Sequence, residues 1–258
     1  RSRFLSVEPV ELLGGQAELR EEVGALLARS TQRVPTAPAR DAILAALARE
    51  LGLSDQGPWS LHLEWQDQSN GLAEPRPTQV DAFAEGSTAM MLFECKFTEA
   101  GGACSQINPD RRGVVACTGA YRLQTNPQND KEARCALTGK GVKYWDYVAD
   151  VYGLDPNGDL DPCPFAFDAY QWMRNVVLAE SLSRATGKSV RVAAAYVDEE
   201  CFQTALKAKS GPLGVKTLRP EQAVRPLSYQ RIIEIAAAAN PSPVWADLSA
   251  WMERKIAA

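Results

Sequence analysis

Histidine is nearly missing from this chain: one, His62, occurs in 258 residues. That excludes chemistry built on two or more histidines, such as an HNH nuclease, a zincin with HExxH or a two-histidine phosphodiesterase. A Ser-His-Asp hydrolase would have to use His62, and no GxSxG elbow is present. The absence of GxxxxGK[ST] removes P-loop chemistry. No apolar run approaches the roughly 20 residues that span a bilayer. The opening stretch "RSRFLSVEPVELL" is basic but lacks the apolar segment of a signal peptide. A cytoplasmic protein without a membrane partner is therefore expected. Excess positive charge is also lacking, since the formal net charge is -4. This argues against a protein that coats DNA by charge alone. It leaves room for local basic patches at Arg111 and Arg112, at 131–143 and at 207–216.

Hydrophobic residues make up 45% of the chain, as in ordinary globular proteins. Apolar spacing of three to four predicts helices over 17–30 and 38–54, the second stopped at Gly52. "PWSLHLEWQ" (58–66) alternates Leu61, Leu63 and Trp65 against His62, Glu64 and Gln66, a strand whose polar face carries the second set. Residues 67–77 read as a loop. The clearest helix lies in 165–188, with Phe167, Tyr170, Met173 and Val177 on its apolar side and Gly187 at its end. A strand (189–198) follows, then a helix from a Ser228 N-cap and a terminal helix. Strands and helices sharing one core make the fold α/β, a mixed sheet flanked by helices. We expect a single domain over 1–258. It carries a Cys-, Gly- and Pro-rich irregular insertion at 98–164 and a C-terminal helical extension at 217–258.

Within "QVDAFAEGSTAMMLFECKF" (79–97), charges interrupt two apolar strands. Glu94 and Lys96 are two apart and share a strand face, while Phe93, Cys95 and Phe97 point the other way. A hairpin centred near Ser87 and Thr88 puts Asp81 opposite Glu94 or close to it, with Gln79 on the same face. Two carboxylates that close repel, and a hard divalent cation relieves the crowding. Mg²⁺ prefers one or two carboxylates plus water and substrate phosphate. The main-chain carbonyl of Cys95 is a further candidate donor, and the Lys96 ammonium can orient an attacking water. The competing reading is a salt-bridge ladder on a sheet surface. Against it, "AMMLFECKF" is too apolar for an exposed edge.

The pattern [DE]-x-K recurs at Glu253-Arg254-Lys255, on the terminal helix, without a partner acid on a neighbouring strand. The first copy, "QVDAF…MMLFECKF", resembles the D…(D/E)xK signature of the PD-(D/E)XK nuclease superfamily. The order helix, three strands, helix, strand matches that restriction-endonuclease-like core. "YQWMRNVVLAESL" and "VRVAAAYV" are similar to the helix and strand that follow the signature in bacterial members. The resemblance covers roughly 38–100 and 165–200. It implies a nuclease acting on nucleic acid, most readily DNA, with Mg²⁺ or Mn²⁺ on Asp81 and Glu94 and a catalytic Lys96. Gln171, one turn into the long helix, would touch a water or phosphate at the site. Val80 stands where many members have proline. Many such enzymes cut duplexes as homodimers. The alternative is a module that keeps the fold without cleavage and binds nucleic acid or a protein partner.

Auxiliary candidates are Glu64 as a further metal ligand, Gln79 as an orienting group for Asp81 or a phosphate, and Arg174 as a phosphate contact. Each also reads as an ordinary surface residue. Of six cysteines, Cys95 is expected in the core and Cys201 in a helix. Cys104, Cys117, Cys135 and Cys163 all fall in the insertion. A segment with little apolar content lacks a core of its own, and a Cys₄ site for Zn²⁺ or an iron–sulfur cluster is one remedy. The other reading is four free thiols, since no CxxC knuckle is present. Disulfides are not expected in a cytosolic protein.

Overall fold

The computed structural model describes residues 36–96, 101–199 and 216–256. The helix expected over 17–30, the inward Phe97, the environment of Cys201 and nearly all of the 207–216 patch lie outside them.

Helix α1 (Ala37–Glu50) starts with proline in its first turn and buries Leu44, Ala45, Leu47 and Ala48. Leu51 follows, also buried, and Gly52 leaves the helix at φ +73°. A left-handed φ is one that glycine adopts without steric cost. Three antiparallel strands come next: β1 (Ser60–Gln66), β2 (Gln79–Glu85) and β3 (Ala89–Lys96). β3 is buried at every position but Cys95, as its unbroken apolar run demands of a central strand covered on both faces.

The insertion contains a two-residue hairpin, β4 (Gln124–Thr125) with β5 (Glu132–Ala133), and short helices α2 (Ala136–Gly139) and α3 (Trp145–Tyr152). Then come α4 (Ala169–Thr186), β6 (Ser189–Tyr196), β7 (Arg225–Ser228), α5 (Tyr229–Ala239) and α6 (Pro243–Ile256). The sheet order is β1-β2-β3-β6-β7, with β6 parallel to both β3 and β7. It is a mixed sheet flanked by helices, an α/β fold.

Two apolar clusters flank the sheet. On one face Leu44, Leu47 and Leu51 meet Ala84, Met91, Phe93 and, from the C-terminal part, Leu227 and Ile235. On the other, Met90, Leu92 and Val192 meet Trp172, Met173, Val176 and Val177 of α4. Each fully buried side chain of this size contributes roughly 1.5–3 kcal/mol.

The insertion has no core of its own but adds to the main one: Tyr121, Val142, Tyr144, Trp145, Val148, Val151 and Phe165 are buried in the α4 cluster. Its apolar residues are spaced irregularly because they reach one core from several loops. Three expectations are corrected. Residues 217–258 supply a strand, β7, as well as helices; four residues holding a proline carry too little alternation to register. Leu61 and Leu63 are 43% and 58% exposed rather than inward, because β1 is an edge strand. Phe167 precedes α4 and is 52% exposed. Ser228 does cap α5, its side chain accepting from the Arg231 N–H at 3.1 Å.

Candidate active site

The hairpin that builds the site is closed by a residue distant in sequence. Buried Asp55 accepts hydrogen bonds from the main-chain N–H groups of Thr88 (2.6 Å) and Ala89 (3.0 Å) and from the Thr88 hydroxyl (3.1 Å). With the turn fixed, Glu85 pairs with Met90 and Ala82 with Phe93. The same register carried one residue on puts Asp81 across from Glu94. Directly opposed residues share a face. The Asp81 Oδ2 also accepts the Cys95 N–H at 2.6 Å. On the other flank, Leu63 and Trp65 pair with Ala82 and Val80, and Glu64 between them interrupts the ladder with φ +52°. Asp81 and Glu94 thus form an acidic row across β2 and β3, and Glu64 stands beyond it on β1.

Glu94 and Lys96 are 4% and 6% exposed and face α4. The Lys96 Nζ donates to Glu94 Oε1 at 2.9 Å. Gln171 Nε2 donates to the same oxygen at 2.5 Å, and Asn175 Nδ2 to Oε2 at 3.0 Å. Gln171 and Asn175 are four apart, hence on one helix stripe. Lys96 also lies 5.9 Å from the centroid of the Trp172 ring. Burial pushes the Glu94 carboxyl above its ordinary range and the charge of Asp81 adds to this, while the Lys96 ammonium opposes it.

The start of the insertion locks α4 in place. Gln171 Oε1 accepts the Gly102 N–H at 2.9 Å. A Cβ on Gly101 would come within 2.4 Å of the Asp168 carbonyl oxygen, so only glycine allows this approach.

The donor set suits a hard cation. A carboxylate offers about four lone-pair positions, and the three donors to Glu94 leave one, on Oε2. The second oxygen of Asp81 accepts no hydrogen bond among the described residues. Among those residues, no group of three or more His, Cys, Asp or Glu has the geometry of a metal-ion site. Two carboxylates suffice for Mg²⁺, which keeps several waters.

Asn175, 1% exposed, belongs to this site and was not anticipated. Its position one turn beyond Gln171 is the signal that could have found it. Gln79 does not reach Asp81: its amide donates to Glu64 Oε2, and it accepts from Gln66 Nε2 at 3.2 Å. A strand-end glutamine finds its neighbour across the β1–β2 pair more readily than one along its own strand. Arg174 lies 3.7 Å from buried Glu74, an ion pair rather than an open phosphate contact. Glu74 in turn accepts from Thr78 N–H at 2.7 Å and from the Tyr144 hydroxyl, joining the 67–77 loop to the insertion. Arg111 and Arg112 are exposed. The thiol of Cys95, on the opposite sheet face, is pushed up to about 11 by burial.

The four insertion cysteines converge. Cys104, Cys117, Cys135 and Cys163 line one small cavity together with Tyr170 and Met173 of α4. All are free thiols.

Fold and site together define an α/β protein whose sheet presents a buried acid–lysine pair beside a second acid. Over residues 35–255 the chain matches the family described as Restriction Endonuclease associating with ARP. It belongs to that family, which is restriction-endonuclease-like. No curated protein and no solved structure matches it. Among the described residues no helix is long and apolar enough to cross a membrane.

Proposed function

We propose that this chain is a divalent-cation-dependent nuclease that hydrolyses phosphodiester bonds, with DNA as its substrate. The observation that carries the reading is the convergence of Asp81 and Glu94 from paired strands, with Lys96 two residues along on the same face. The element order helix, three strands, helix, strand supports a PD-(D/E)XK core, and family membership supports nuclease chemistry.

Asp81 and Glu94 hold Mg²⁺ or Mn²⁺, with the Cys95 carbonyl as a third protein donor and Glu64 as an outer acid beyond the row. The cation, when bound, supplies charge neutralisation at the phosphate and at the leaving oxygen. Gln171 and Asn175 fix the Glu94 carboxylate in one rotamer, so little reorganisation is needed as charge develops. Lys96 keeps its ammonium beside the reacting phosphate, orients the attacking water and offsets the negative charge of the phosphorane. Arg111 and Arg112 are candidates for contacts with the nucleic-acid backbone. Double-strand cutting by two copies would place a homodimer on the substrate, a state read by sizing with and without a duplex.

One observation favours a second reading. The Lys96–Glu94 ion pair is satisfied within the protein and almost fully buried, as in a fold kept for binding rather than cleavage. Incubating the wild type, Asp81→Ala and Lys96→Ala with plasmid, linear duplex, single strands and RNA, with Mg²⁺ or Mn²⁺, separates the two. Cleavage by the wild type alone supports the nuclease. Equal cleavage by all three removes the site assignment. No cleavage by any, with nucleic acid still bound, gives the binding module.

A further inference from the structure

Four cysteines lie far apart in sequence, at 104, 117, 135 and 163, yet their side chains border one cavity. Each thiol lies within electrostatic reach of the other three, which holds for all six pairs. Convergence of four from four separate loops is not a by-product of one amphipathic element. Their elements are irregular: Cys104 precedes a three-residue 3₁₀ turn, and Cys135 precedes α2, which has four residues. The remaining walls are mostly apolar or aromatic, among them Tyr121, Trp145, Phe165 and Met173, with Gln106 and Arg134 also on the lining.

We propose that Cys104, Cys117, Cys135 and Cys163 are the four thiolate ligands of one metal centre, zinc or an iron–sulfur cluster.

Four thiolates in an apolar, largely water-excluded setting are the ligand set for zinc or for iron–sulfur clusters. The cavity that the four side chains border holds about 30 Å³. Among the described residues no three of these thiols stand at the spacing of a preformed single-ion site, so binding must draw the loops inward. Each thiol releases its proton to solvent as its bond to the metal forms.

The centre also has a structural task. The insertion has few regular elements with which to close its loops, and a four-point staple ties them together beside Tyr170 and Met173 of α4. The inference holds whatever chemistry the acidic row performs.

The full-length chain is to be purified without oxygen, and iron, acid-labile sulfide and zinc measured against protein. The expected result is near-stoichiometric metal: zinc in a colourless protein, or iron and labile sulfide in near-equal amounts with visible absorbance that bleaches on reduction. Cys117→Ser and Cys163→Ser should lose the metal, while Cys201→Ser keeps it. Folded wild-type protein that holds neither, as purified and after anaerobic incubation with zinc or with ferric iron, a thiol reductant and sulfide, overturns the centre. If the cysteine variants fail to fold, the metal analysis of the unaltered chain decides alone.

Discussion

Helix α4 divides two regions of unlike chemistry. On one stripe, Gln171 and Asn175 hold the Glu94 carboxylate. On another, Tyr170 and Met173 wall the cavity of four thiols. The first region is made of hard oxygen donors aligned by strand pairing. The second is made of soft sulfur donors carried on loops, whose positions depend on the rest of the insertion. Regular structure can prepare a site for a cation that exchanges with solvent. Loops that must be held together call for a bond that does not exchange.

The largest effect expected is on catalysis at the acidic row. Asp81→Ala should lower cleavage by roughly 10²–10³-fold, the scale of removing one aligned electrostatic contact. Initial rates on plasmid in Mn²⁺ measure it. A variant of Cys117 that still folds should change the rate far less, and an equal loss from both would break the separation of the two regions.

Next in size is the response to cation. At a hundred times its dissociation constant, Mn²⁺ should stabilise the wild type by about 2.7 kcal/mol. Thermal melts read this, and Asp81→Ala should show no shift. A brief wash with EDTA should reverse it and leave any absorbance from the thiol region in place.

Asn175→Ala removes a hydrogen bond to a buried charged group and should cost roughly 1.5–3 kcal/mol of stability in the metal-free protein. Chemical denaturation gives the figure. A cost near zero would mean that water replaces the amide and that Asn175 does not position Glu94.

Smaller still is a pH effect confined to the acidic row. The carboxyl of Glu94 is raised in the folded protein. A raised acid contributes stability that is fully present below its unfolded value, about 4.3. That contribution is lost as pH rises through the higher folded value. Without metal, stability should therefore fall over this window by more in the wild type than in Glu94→Gln. Added Mn²⁺ should flatten the wild-type curve, since it favours the ionised form. Parallel curves for the two proteins would show that Glu94 is not the titrating group.

The smallest effect expected is that of Gln79→Ala. Its amide meets Glu64 at an exposed strand end, so stability should change by less than about 0.5 kcal/mol. A large loss of cleavage from this change would recast Gln79 and Glu64 as working parts of the row.

Much of the acidic region was legible in the sequence. Strand alternation puts Glu94 and Lys96 on one face, and a short Gly-Ser-Thr turn limits the register to a few choices. Gln171 was found through resemblance, whereas Asn175 was overlooked though it lies on the same helix stripe. The roles considered for Gln79 and Arg174 rested on local spacing, and partners from elsewhere, Glu64 and Glu74, took both residues. The thiol cavity was legible only as a count of cysteines in one segment. No repeat such as CxxC fixes where loop residues meet.

By itself, then, the sequence determined the buried central strand, its pairing with the strand before it and the presence of acids and a lysine on one side. Those follow from periodicities of two and 3.6, which are local and survive any tertiary arrangement. Tertiary structure alone decided that β1 is an edge, that the insertion joins the main core and that four distant thiols share a wall. Each of these depends on which surfaces meet across long stretches of chain, and no local repeat encodes such meetings.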